Sequence, residues 1–134
     1  MLSDPELDKI LAAKARRMVS SELQHKDHGI LELTASNFDM QVKSHKPAFV
    51  DYWAAWCGPC KMMDPVVERL SSRFYGSVTF GKVNVDEQPE IATRFDIQSI
   101  PTFMIFRDGA PVDAAIGAVP ESNLDARIRK VLAA

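Results

Sequence analysis

The chain has 134 residues, of which 46% are hydrophobic and 25% charged, a length and balance that fit one globular domain with a substantial core. Sixteen basic against eighteen acidic side chains give a net charge of −2, which excludes a generally basic nucleic-acid binder. No apolar run nears the roughly 20 residues needed to span a bilayer, so no membrane role is expected.

The elements begin with a helix. Leu7, Ile10, Leu11, Ala15, Met18 and Val19 recur at three- and four-residue steps, with Ser3 or Asp4 as alternative caps. Acidic residues open it and Lys14, Arg16 and Arg17 close it, as the helix dipole favours. A polar stretch from Ser20 to His28 reads as a linker. Residues 1–28 carry five positive and five negative side chains and read as an N-terminal extension to a domain over 29–134. Asp4, Glu6 and Asp8 stand where a secretory signal needs basic and then apolar residues, so a cytoplasmic protein is expected.

From Gly29 short strands alternate with helices. Ile30–Thr34 reads as a strand, Ser36–Lys43 as a short helix, and Pro47–Trp53 as a strand buried on both faces. Cys57 to Phe74 reads as a longer helix with Met63, Val66, Val67 and Leu70 along one side and a kink at Pro65. Val78–Val85 is the next strand, and Pro89–Phe95 the next helix. Thr102–Arg107 and Pro111–Gly117 flank Asp108-Gly109, a strong hairpin signal. Ser122–Leu132 closes the chain as an amphipathic helix. The expected fold is α/β, a mixed sheet of about five strands with helices on both faces, plus the extra N-terminal helix.

The two cysteines, in Cys57-Gly58-Pro59-Cys60, lie where a buried strand hands over to a helix. A helix N-terminus favours a thiolate over a thiol, and the thiolate is the attacking species in disulfide exchange. Two intervening residues keep the second sulfur within disulfide reach of the first. Cys57, at the outer end, is the expected nucleophile, and Cys60, one turn in, the expected resolving thiol. Asp51 interrupts an apolar strand, where burial raises a carboxyl pKa.

The hexapeptide Trp56-Cys57-Gly58-Pro59-Cys60-Lys61 after Phe49-Val50-Asp51-Tyr52-Trp53-Ala54 resembles the thioredoxin family. So do Pro65, the Phe80–Asp86 strand, Ile100-Pro101-Thr102, Asp108-Gly109 and Gly117-Ala118, in order across about 29 to 134. The resemblance implies the thioredoxin fold and a protein-disulfide reductant that needs no bound cofactor or metal. It implies that Asp51 exchanges a proton with Cys60, that Lys82 lies near Asp51, and that Ile100-Pro101 is a cis bond facing the cysteines. Lys82 would lower the Asp51 pKa while burial raises it, and the sequence leaves the balance open. Trp56, Ile100, Pro101, Gly117 and Ala118, with the Gly58 and Pro59 of the motif, would form an apolar substrate-docking patch whose backbone pairs with an extended chain. Ala55 stands where many family members carry an acidic residue, a change expected to affect partner choice.

The implied partners are disulfide-bearing proteins and an external thioredoxin reductase, with the chain acting as a monomer. A thiol oxidase or isomerase on the same fold is the first alternative, but such relatives usually carry a histidine between the cysteines. A non-enzymatic docking subunit is the second, with the N-terminal helix as the docking element. His25 and His28 offer an H-x-x-H that could complete a zinc site, but they fall in the polar linker, so no metal is expected.

Overall fold

The structure, a computed structural model, describes residues 29–134. The expected N-terminal helix and the His25/His28 pair lie outside them. Nine elements follow in order: β1 (Leu31–Glu32), α1 (Phe38–Val42), β2 (Ala48–Trp53), α2 (Gly58–Arg73), β3 (Thr79–Asn84), α3 (Pro89–Arg94), β4 (Thr102–Arg107), β5 (Ala110–Ile116) and α4 (Glu121–Ala133). The five strands form one sheet in the order β1-β3-β2-β4-β5. β3 runs parallel to β1 and β2, whereas β4 is antiparallel to both β2 and β5.

Strand alternation sorts the core into two halves. Phe49 and Phe80 pack with Phe103, Ile105 and the Met63, Val67 and Leu70 side of α2, joined by Leu124 and Ile128 of α4. Ala48, Val50, Tyr52 and Val83 face the other way, onto Phe38 and Val42 of α1 and Ile91 of α3. Helices therefore cover both faces, as expected. Asp51, Trp53 and Lys82 share the pleat of Phe49 and Phe80, which aims them at the α2 side.

The main departure is β1, expected over Ile30–Thr34 but only two residues long. The Leu33 N–H still donates to the Lys82 carbonyl, and then Thr34 turns the chain away, its N–H taken by the Asn37 side chain. Hydrophobic pattern marks burial, and Leu33 is buried, but pattern does not say where a ladder stops. Helix ends shift by a residue or two, with Cys57 and Phe74 serving as caps of α2 instead of members. Pro65 lies inside α2, where it withholds an N–H from the turn before it.

Asp108 and Gly109 both adopt positive φ, the two-residue turn the pair signals. A bulge follows between β4 and β5. Along β5, Pro111 has no N–H, the Ala114 N–H bonds the Asp113 carboxylate, and the Ala114 carbonyl accepts from Arg127.

Gly81 is held by close packing: a Cβ there would meet Leu33 Cδ1 at 2.4 Å and Cγ at 2.7 Å. Leu33 is itself buried and cannot retreat into solvent. Gly81→Ala is expected to cost about 1–3 kcal/mol by overpacking, read as a lower urea midpoint at unchanged slope.

Candidate active site

β2 delivers the site to the start of α2. After Trp53 the chain turns through Ala54, whose carbonyl accepts the Cys57 N–H at 3.2 Å. Cys57 is the N-cap of α2, in extended geometry, and its sulfur accepts the Cys60 N–H at 3.2 Å. Pro59 falls in the first turn, where a helix has no use for its missing N–H. Cys57 and Cys60 are joined as a disulfide, with Cα atoms 5.3 Å apart. A sulfur at the N-cap sits on free amide donors and the positive end of the helix dipole, which stabilises the thiolate released when this bond opens.

Both cysteines are buried to a similar degree in this oxidised form, 3% and 2% exposed, packed with Ala54, Trp53, Val85 and Ile100. The sequence reading separates an outer from an inner cysteine. Here exposure does not distinguish them; position does, since Cys57 caps the helix and Cys60 lies within it.

Asp51 is 1% exposed, and its Oδ1 has no hydrogen-bond partner. Burial raises its pKa to about 7, against a smaller lowering by Lys82, so desolvation wins the contest that the sequence left open. Lys82 stands opposite Asp51 in the β2–β3 register, but its Nζ donates to Asp64 Oδ1 at 3.1 Å and lies 4.9 Å from the Trp53 ring centroid. Sequence reasoning missed Asp64, because on α2 it reads as one more polar helix position.

The Ile100–Pro101 bond is cis. The Pro101 carbonyl accepts the Gly117 N–H at 2.8 Å, with Gly117 at φ 94°, so the two expected docking segments are tied together. Ile100 contacts the cysteine cluster. Trp56 is 70% exposed and donates its indole N–H to Asp86 Oδ2 at 2.8 Å, a second partner that sequence reasoning missed. Ile116 and Met62 are exposed too, whereas Pro101 is buried and Ile100 and Gly117 are half-buried.

The family model described as Thioredoxin matches residues 29–130. This chain belongs to the thioredoxin family. It is 46% identical over 102 residues to thioredoxin of Alicyclobacillus acidocaldarius, covering 76% of this chain and 97% of that one. It is 44% identical over 102 residues to thioredoxin 1 of Nostoc, covering 75% and 95%. Among solved structures, Malassezia sympodialis thioredoxin matches with a TM-score of 0.71 at 38% identity, covering 75% of this chain and 89% of that one. As a thioredoxin it is a protein-disulfide oxidoreductase that works by dithiol–disulfide exchange, taking disulfides as substrates and relying on a reductase for recharge. No helix among the described residues is long and apolar enough to cross a membrane.

Proposed function

We propose that the Cys57 thiolate attacks a protein disulfide, forming a Cys57–substrate mixed disulfide and releasing the first substrate sulfur as thiolate. Cys60 then loses its proton to Asp51 through an intervening water and attacks the Cys57 sulfur. The Cys57–Cys60 disulfide forms, the second substrate thiolate leaves, and Asp51 returns its proton to it. Two electrons pass from the cysteine pair to the substrate. A separate reductase restores the dithiol.

The observation that carries this reading is the redox disulfide at the N-cap of α2 together with a buried Asp51 on the sheet face that α2 covers. Lys82 tunes Asp51. Trp56, Ile100, Pro101, Gly117 and Ala118, with Gly58 and Pro59, receive the substrate, and the apolar exposure of Trp56 supports that role. Because Gly117 occupies the Pro101 carbonyl, the peptide groups of Ile100 are the better candidates for pairing with an extended substrate. Residues 29–134 form the catalytic domain, with residues 1–28 as an extension, a division supported by a family match that begins at 29. The domain acts as a monomer in a reducing compartment such as the cytoplasm.

The deciding experiment is the equilibrium reduction potential of Cys57–Cys60 against a dithiol buffer, read by Trp53 and Trp56 fluorescence. Thioredoxins poise near about −270 mV, the reference value for this family, against about −180 to −120 mV for isomerase- and oxidase-type relatives. A value near the low end is expected. A value above about −200 mV would overturn the reductant reading in favour of an oxidase or isomerase. Pro59→His is expected to raise the potential by about 30 mV or more, a tenfold change in the exchange equilibrium.

A further inference from the structure

Two carboxylates compete for one lysine beside the disulfide. The strand register sets Lys82 opposite Asp51, yet Lys82 bonds Asp64 and leaves Asp51 Oδ1 without a partner. Asp64 lies four residues after Cys60 on α2, so it continues the helix face that carries the resolving sulfur. Asp64, Lys82 and Trp53 line a cavity of about 240 Å³, with Glu32 and Glu68 on its wall. Trp53 holds the ammonium from a second side, 4.9 Å from its ring centroid.

We propose that Asp64 is a positioning residue for the proton step, holding the Lys82 ammonium at the cavity wall and off Asp51. The proposal rests on reading Asp51 as the proton acceptor of Cys60. An Asp51 paired with Lys82 would stay ionised as a weak base, poorly matched to a thiol proton. With Lys82 drawn to Asp64, burial governs Asp51 instead, and Asp64 adds its own negative charge to the same effect. The charged groups on the elements around Asp51 are Lys82 from β3 and Asp64 from α2, with Glu68 of α2 and Glu32, the last residue of β1, sharing the cavity. β4 opposes Asp51 with uncharged Phe103.

The test is a carboxyl-carbon NMR titration of Asp51 in the oxidised full chain, where neither cysteine titrates. It compares the parent, Asp64→Asn, Lys82→Met and the double variant. Asp64 and Lys82 side chains are 41% and 25% exposed, so neither change strips the core. Asp64→Asn is expected to lower the Asp51 midpoint by about one pH unit, and to move it much less when Lys82 is already Met. An unmoved midpoint in Asp64→Asn overturns the proposal. An equal shift with and without Lys82 also overturns it, since Asp64 would then act by its field alone. Single-turnover breakdown of the mixed disulfide supplies the kinetic readout, and its pH midpoint should track the titration. If Asp51→Asn leaves that breakdown unchanged, the proton-acceptor reading falls, separately from what the titration says about Asp64 and Lys82.

Discussion

Cys60→Ser is expected to convert a turnover catalyst into a trap. Cys57 would still open a substrate disulfide, but no second sulfur could release the adduct. Disulfide-reductase turnover should fall by more than about a thousandfold while a Cys57–substrate adduct accumulates, visible by mass spectrometry and reversed by added dithiol. Cys57→Ser should lose turnover to the same extent and form no adduct. The pair of results separates the two roles, which the similar burial of the two cysteines cannot do. An adduct on Cys60 in the Cys57→Ser chain would mean that the inner sulfur is open to substrate and that the assignment is reversed.

The second large effect concerns stability and pH. Folding raises the Asp51 pKa from 3.8 to about 7, chiefly by desolvation. Between those values the folded protein binds the proton that the unfolded chain has released. Its contribution to stability is complete below about pH 4 and is lost as pH rises through about 7. Asp51→Asn removes this penalty. The variant should be more stable than its parent above pH 7 by a few kcal/mol, at about 1.4 kcal/mol per pH unit, and its stability should be flatter between pH 4 and 7. Urea unfolding of the oxidised chain at several pH values checks this. The same change should slow mixed-disulfide breakdown at neutral pH by roughly a hundredfold, at the low end of general-base contributions. A group that lowers stability while it speeds a reaction is retained for the reaction.

Most of this was legible in the chain. The alternation of apolar runs with helical periodicity placed the elements from Pro47 onward, and Asp108-Gly109 placed the hairpin, because each is a local property of backbone and burial. Cys57, Cys60 and Asp51 stood out for a different reason, each being an unusual residue type for its surroundings, whereas Pro101 was marked only by the family resemblance. Asp64 and Asp86 had no such contrast. A carboxylate on a helix or in a turn is what solvent normally receives, and only the folded register shows that one meets Lys82 and the other Trp56. The short β1 was hidden because its end is set by the side chain of Asn37, not by any change in hydrophobicity.

The outer margin of β5 governs how crowded this protein can become. An edge strand normally offers a row of open peptide groups on which another chain can grow. Here Pro111 supplies no donor, Asp113 caps one amide, Arg127 caps one carbonyl, and the bulge breaks the straight run. A reductant must meet extended, partly unfolded chains again and again, each one a template for sticking. Blunting this margin disfavours sheet growth on that flank when such chains are met at high concentration.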